Sequence, residues 1–66
     1  MPGVTEHVES YYRSLLDQLN SGDRLPSERL VMNELETCRS TIRLVLTKLK
    51  AEKLLYPEHG RGYYKL

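Results

Sequence analysis

The strongest constraint on the fold is a short polar break at residues 36–38, which separates two segments with helical spacing. We predict one helix over about residues 28–36 and another from the break to about Glu52. Their apolar faces are formed by Val31, Met32 and Leu35 and by Ile42, Val45, Leu46 and Leu49, respectively. Two helices joined by so tight a turn, the second led by polar residues, predict a helix-turn-helix.

Another helix is predicted near the amino terminus. Apolar residues recur there at intervals of three and four: Val8, Tyr11 or Tyr12, Leu15, Leu16 and Leu19. Thr5 is expected to cap its start, and Asn20-Ser21-Gly22 is expected to end it, with the glycine in the left-handed conformation. A linker at residues 22–27 follows, in which Leu25 packs on the core and Ser27 caps the next helix.

The apolar spacing near the carboxyl end is typical of strands rather than helices. We predict strands at Leu54–Tyr56 and Tyr63–Leu66, joined by residues 57–62, whose two glycines allow positive φ. Neighbouring residues of a strand face opposite sides, so Tyr63 and Tyr64 are expected on different faces of the hairpin.

These elements predict a single domain over residues 1–66 that is mainly α with a small β-hairpin. The fold class is α+β, a winged helix-turn-helix with three helices plus a wing. The helix-turn-helix occupies about residues 27–52 and the wing about residues 54–66. The core must be built from Leu, Val, Ile, Met and some of the five Tyr, because the chain has no Trp or Phe.

The composition excludes several kinds of site. One Cys cannot form an intramolecular disulfide, and one Cys with two scattered His cannot build a structural zinc site. No nucleophile lies beside a base and no paired carboxylates indicate a cleft, so we expect no enzymatic activity, metal or cofactor. No apolar run approaches the ~20 residues of a membrane span, and no signal peptide is recognisable. We therefore expect a cytoplasmic protein.

The charge is unevenly distributed, although the formal net charge is only +1. Residues 1–34 carry three arginines against six acidic side chains, a net charge of −3. Residues 35–66 carry seven basic against three acidic side chains, a net charge of +4. The carboxy-terminal half is therefore the part expected to face an anion.

The start of the third predicted helix carries the residues expected to contact DNA. Arg39 and Arg43 are one turn apart and leave the same face, which in a helix-turn-helix meets the major groove. A guanidinium can donate two hydrogen bonds to guanine O6 and N7. Ser40 and Thr41, with the free backbone N–H groups of the first turn, can hold a phosphate. Alternatively, the arginines are solvated surface charges and the hydroxyls cap the helix.

His59, Gly60 and Arg61 form the tip of the predicted wing. Gly60 lets the backbone approach DNA closely, and a cation at this position can enter a narrow minor groove. The alternative is a flexible tip that touches nothing. We interpret Cys38, the lone cysteine, as a small residue at a helix cap rather than a redox sensor.

Three stretches of the sequence, "SGDRLPSER", "CRSTIRLVLTKLKAEKLL" and "HGRGYY", together resemble the amino-terminal DNA-binding domain of the GntR family of bacterial transcription regulators. The resemblance covers about residues 8–66 and implies a winged helix. It also implies that Arg29, in the second helix, reaches the DNA backbone or a base. The alternative for Arg29 is a surface ion pair, for example with Glu34 or Asp23.

The chain departs from the family pattern at five positions. The family usually has Gly at the positions of Glu36 and Lys53, Ser or Thr at Cys38, Glu at Leu30 and Thr at Tyr63. If the backbone at Lys53 is left-handed, Lys costs on the order of 1 kcal/mol relative to Gly. These departures concern caps and turns rather than the expected DNA contacts.

The resemblance further implies a metabolite-responsive regulator, most often a repressor, that binds a double-stranded DNA operator with an inverted repeat. A C-terminal domain, absent from this chain, is expected to bind a small-molecule effector and to form a homodimer. We favour a domain of the HutC type. The alternative function is a winged-helix protein-interaction module, which the near-neutral charge permits. A steep salt dependence of DNA binding distinguishes the two, because neutralising phosphates releases counterions.

Overall fold

The computed structural model describes residues 4–66 and contains three helices followed by a two-stranded antiparallel sheet. The helices are α1 (Val4–Gln18), α2 (Glu28–Leu35) and α3 (Arg39–Ala51), and the strands are β1 (Leu55–Glu58) and β2 (Gly62–Lys65). The two strands and their connecting turn are the wing. This order confirms the predicted α+β winged helix-turn-helix. None of the helices described has the length and apolar character needed to span a membrane.

The core lies where the three helices and β1 meet, and α3 is at its centre. All four residues of the predicted α3 stripe are buried, each no more than 1% exposed. The other buried residues are Val8, Tyr12, Leu16, Leu25, Val31 and Leu55. Of the two tyrosines considered for the core, Tyr12 is fully buried and Tyr11 packs against the edge. Full burial of one large apolar side chain contributes about 1.5–3 kcal/mol, so these contacts position α3 against α1 and α2.

Several predicted helix ends are confirmed. Ser27 caps α2, because its Oγ accepts a hydrogen bond of 3.2 Å from the backbone N–H of Leu30. Cys38 is the N-cap residue of α3, although its side chain makes no capping hydrogen bond to the backbone. Gly22 has φ +90 in the turn after α1. Thr5, in contrast, is not a cap: it lies inside α1, which already includes Val4.

Two residues at helix ends adopt the left-handed conformation without being glycine. Glu36 closes α2 at φ 52, and Lys53 follows α3 at φ 63. At the end of α3, the N–H of Lys53 donates to the carbonyl of Lys50 and that of Leu54 to the carbonyl of Leu49. This pair of bonds is the Schellman motif, which usually places Gly where Lys53 lies. The backbone at Lys53 is therefore left-handed, which is the condition under which lysine costs stability relative to glycine.

The strands are displaced from their predicted positions. Pro57 and Glu58 were expected in the turn, but they belong to β1 and pair with Tyr63 and Gly62. Leu54, which was expected in the first strand, precedes it. A proline is tolerated in β1 because β1 is an edge strand and only one of its sides is paired.

The two tyrosines of β2 face opposite sides, as predicted. Tyr63 packs against the core, whereas Tyr64 stacks on Tyr56 with ring centroids 5.8 Å apart. One face of the wing is thereby attached to the domain, and the other carries an aromatic pair.

The linker before α2 is more ordered than the sequence suggested, because it runs antiparallel beside β2. Arg24 forms a β-bridge with Tyr64, and the N–H of Leu25 donates to the carbonyl of Tyr63 at 2.9 Å. The segment thus acts as a third strand on the open side of β2. It joins the wing to the start of α2.

Lys65 joins the wing to α1. Its Nζ donates to the carbonyls of Leu16 and Leu19, both at 2.7 Å. Carbonyls at the carboxyl end of a helix lack helical partners and favour a cation. The end of β2 is therefore held beside the end of α1.

Candidate nucleic-acid interface

A groove with a volume of about 670 Å³ lies between α3 and the wing. Its lining also includes the linker, the start of α2 and the buried side chains Tyr12, Leu25 and Leu46. The charged residues and the histidine that line it are Arg24, Glu28, Arg29, Arg39, Arg43, Glu58 and His59. Four arginines against two glutamates leave an excess of positive charge, which suits an anionic polymer. We call this feature the α3–wing groove.

Arg39 and Arg43 lie on one face of α3 in its first turns, with side chains 55% and 64% exposed. The carboxylate of Glu28 contacts both of them. Its Oε1 is 3.4 Å from Nε of Arg39, and its Oε2 is 3.3 Å from Nε of Arg43. Glu28 is the first residue of α2, where the helix dipole favours a negative charge. One acidic side chain thus contacts both of the α3 arginines that are expected to contact DNA.

Glu28 could not be predicted as a partner of Arg39 and Arg43, because these residues are 11 and 15 positions away in the chain and lie on another helix. No helical spacing connects these positions. The one sequence feature that could have located Glu28 is its position directly after the capping Ser27, which places Glu28 in the first turn of α2.

Ser40 and Thr41 lie in the first turn of α3 but are not among the residues that line the α3–wing groove. Their hydroxyl oxygens are 3.2 Å and 3.3 Å, respectively, from Sγ of Cys38. Hydrogen bonds from Ser40 and then Thr41 lower the pKa of the Cys38 thiol from 9.0 to about 7.

Arg29 lines the groove from the first turn of α2. Within residues 4–66, no ion pair joins Arg29 to Glu34 or Asp23, the two partners considered for it. Its guanidinium is therefore available to an external anion.

The wing tip is divided between the groove and the outer surface. His59 and Gly60 line the α3–wing groove, whereas Arg61 does not. The N–H of Arg61 donates to the carbonyl of Glu58 at 2.9 Å and closes the turn. Gly60 has φ +72, a conformation that L side chains rarely adopt.

Two further groove residues, Arg24 and Thr47, were missed by the sequence analysis. Thr47 follows Arg43 by one helical turn, so the spacing that identified the arginines could have identified it too. Arg24 lies within the stretch "SGDRLPSER", but its position depends on the pairing of the linker with β2.

Positive charges on another surface of the domain are engaged in ion pairs. Nζ of Lys48 is 3.0 Å from Glu9, and Arg13 contacts both Glu9 at 2.8 Å and Glu52 at 2.9 Å. Hydrogen bonds from Lys48 and Arg13 hold the pKa of Glu9 below its usual value. These contacts bridge α1 and the end of α3.

Within residues 4–66, no three His, Cys, Asp or Glu side chains are grouped so that they could hold a metal ion. A family model described as "Bacterial regulatory proteins, gntR family" matches residues 5–64. The match spans nearly all of the three helices and the wing, and every residue that lines the α3–wing groove. Comparison with curated proteins finds no match.

Proposed function

The chain belongs to the gntR family of bacterial regulatory proteins, and we propose that it binds duplex DNA with α3 in the major groove and the wing at the adjoining minor groove. Membership of this family implies DNA-binding transcription regulation. The observation that carries the placement is the α3–wing groove, where arginines from the linker, α2 and α3 face solvent beside the wing.

In this proposal, α3 is the recognition helix. A helix with its side chains is ≈ 10–12 Å across, which matches a major groove ≈ 12 Å wide. Arg39 and Arg43 project from its amino-terminal end, the part that contacts base edges in this type of domain. At least one of them pairs with guanine through two hydrogen bonds, and Glu28 sets the direction from which both approach.

The other proposed contacts position the domain. Arg29 reaches the DNA backbone or a base, and the first turn of α3, with Ser40 and Thr41, holds a phosphate. At the wing, His59, Gly60 and Arg61 reach the minor groove, where a cation favours narrow A·T-rich segments. Together with Arg39 and Arg43 these make eight assigned residues, which are supported by the motif resemblance and, for the four arginines, Ser40 and His59, by the exposure of the side chains.

We also propose the regulatory setting that the motif resemblance implies. The protein is a repressor that responds to a small metabolite, acts in the cytoplasm and binds an inverted repeat as a homodimer. Effector binding and dimerisation are assigned to a second domain, for which we favour the HutC type.

The test is a selection of binding sites from random duplex DNA by the wild-type chain and by the variants Arg39→Ala, Arg43→Ala and Thr41→Ala. Loss of either arginine should cost about 1–3 kcal/mol on the preferred site and relax the choice of base at one position. Thr41→Ala should weaken all sequences about equally, because phosphate contacts carry no base information. Lys50→Ala is the matched control, since Lys50 is exposed on α3 outside the groove.

Circular dichroism should show unchanged helix content in every variant, because the buried face of α3 is untouched. If both arginine variants keep the wild-type base preferences and affinity, the assignment of α3 as the recognition helix is wrong. If DNA binding by the wild-type chain shows no salt dependence, the protein-interaction module is the better account.

A further inference from the structure

The α3–wing groove has a defined relation to a bound duplex. The sugar–phosphate backbone is what separates the major from the minor groove of DNA. With α3 in one groove and the wing in the other, a backbone strand must lie along the α3–wing groove. This inference therefore rests on the proposed function. Duplex DNA carries one negative charge per ≈ 1.7 Å of its axis, so the groove must accommodate phosphates that α3 and the wing tip do not reach.

Arg24 is fixed at the wing side of this groove. Its backbone is held beside β2 by the bridge to Tyr64, and the neighbouring Leu25 donates to the carbonyl of Tyr63. Its guanidinium lies over Gly62: Nε and Nη2 are 3.8 Å and 3.9 Å from the position that a Cβ would occupy there. Gly62 has φ +100 and no side chain, so no side chain at this position lies between the guanidinium and the backbone of the wing.

The charge of Arg24 is available to a ligand. Within residues 4–66, ion pairs engage Arg13, Arg39 and Arg43 but not Arg24, which is exposed. The glutamate that lies between α2 and α3, Glu28, contacts the two arginines of α3 instead. Arg24 thus combines a fixed backbone, a solvent-accessible guanidinium and a place in the groove lining.

We propose that Arg24 binds a phosphate of the DNA backbone strand that crosses the α3–wing groove. A guanidinium can make paired hydrogen bonds to phosphate oxygens, which a lysine ammonium cannot make in the same plane. The contact carries no base information. Because Arg24 pairs with β2 and precedes α2 by four residues, it fixes the position of the wing relative to the recognition helix along the DNA.

The experiment compares wild-type chain, Arg24→Gln, Arg24→Lys and the control Lys50→Gln, which also removes one positive charge. Binding is measured between about 50 and 200 mM salt, on a duplex selected by the wild-type chain and on a random duplex of equal length. Arg24→Gln should reduce the slope of log affinity against log salt by about 0.9, the value for one phosphate contact. It should also weaken both duplexes roughly tenfold or more, as for a lost hydrogen bond to a charged group. Lys50→Gln should change both quantities less.

Arg24→Lys should keep the salt slope and lose part of the affinity, because the charge remains while the paired donors are lost. If circular dichroism shows that Arg24→Gln is unfolded, Arg24→Lys remains as the test of the proposal. Wild-type affinity in Arg24→Lys would then show that Arg24 makes no paired hydrogen bonds to phosphate. The proposal is also wrong if folded Arg24→Gln keeps the wild-type slope and affinity, or if it weakens binding to the selected duplex but not to the random duplex. Absence of DNA binding by the wild-type chain would overturn the proposed function together with this inference, whereas normal wild-type binding with an unaffected Arg24→Gln overturns only this inference.

Discussion

At the scale of single residues, the contact of Glu28 with two exposed arginines has a direct consequence for recognition. Exposed ion pairs contribute only about 0–1 kcal/mol to stability, so the effect of Glu28 is expected on orientation rather than folding. Glu28→Gln removes the charge and keeps the size. It should lower discrimination between the selected site and random DNA by about 1 kcal/mol, since a misdirected guanidinium forfeits part of a paired base contact.

Affinity for random DNA should rise slightly in Glu28→Gln, because the groove gains net positive charge. Glu34→Gln is the matched control: Glu34 is an exposed acid on the same helix that does not line the groove. Equal loss of discrimination in the two variants, in titrations of both duplexes, would show that Glu28 does not orient the arginines.

Cys38 predicts a pH dependence of DNA binding. Its thiol has a pKa lowered to about 7, so a thiolate forms at the start of α3 as pH rises from about 6 to about 8. A negative charge there repels phosphate, and affinity should fall over this range. Cys38→Ser should not show the fall in affinity that is caused by the thiolate. The difference between the DNA affinities of wild type and Cys38→Ser at each pH therefore measures the effect of Cys38 separately from that of other titrating groups.

Folding stability should respond to the same group in the opposite direction. The pKa of Cys38 is lower in the folded chain than the usual 9.0, so the unfolded chain binds more protons between pH of about 7 and 9. The resulting stabilisation is fully present at pH values above the pKa of the thiol in the unfolded chain, and it is lost as pH falls through about 7, the pKa in the folded chain. Denaturation at several pH values, in wild type and Cys38→Ser, measures this, and parallel curves would contradict the lowered pKa.

At the scale of elements, the wing is attached to the domain by Tyr63 and Lys65 rather than by its tip. Arg61→Ala should therefore weaken DNA binding with little effect on the fold. The loss should be larger on sites with A·T-rich flanks, whose narrow minor groove attracts a cation.

Glu58→Gln removes a negative charge from the α3–wing groove and should strengthen DNA binding. Titrations of duplexes with A·T-rich and with G·C-rich flanks measure the DNA affinity of Arg61→Ala and of Glu58→Gln. An unchanged affinity of Arg61→Ala for both duplexes would mean that the wing does not contact the minor groove.

The ends of α2 and α3 predict where the domain can be stabilised. Glu36 and Lys53 have φ of 52 and 63, where Gly is favoured by about 0.5–1 kcal/mol. Glu36→Gly and Lys53→Gly should each raise the melting temperature by roughly 2–8 °C in a domain of this size. Lys50→Gly, the same replacement inside α3, should lower it. Thermal unfolding that shows destabilisation by all three changes would contradict the left-handed assignment.

At the scale of the whole molecule, the proposed function gives residues 4–66 one recognition helix, α3. The folded domain extends 33 Å along its longest axis. We expect a monomer that binds a half-site with roughly micromolar or weaker affinity near physiological salt. Two copies joined by a flexible linker should gain about 10²–10⁴ in affinity for an inverted repeat. Sedimentation showing a tight dimer of the 66-residue chain would contradict this expectation.

Much of the fold follows from local patterns. Helical spacing identified the buried stripe of α3, and Ser27 and Gly22 marked a helix start and a turn. Such features depend on residues within four positions of one another, so they are readable in the sequence. The exposed arginines of α3 were found in the same way, because one helical turn separates them. The strand boundaries were less accurate, since Pro57 normally signals a turn and only the free edge of β1 explains its place in a strand.

Contacts between distant segments were decided by the tertiary structure. Glu28 meets Arg39 and Arg43 only because α2 packs across α3, and Arg24 meets the wing only because the linker pairs with β2. Lys65 reaches the end of α1 across a separation of 46 and 49 residues. The spacing of apolar residues specifies which face of an element is buried, but it contains no information on which polar side chains then meet. That outcome depends on how the elements pack around their shared core, and in this protein it shapes the α3–wing groove.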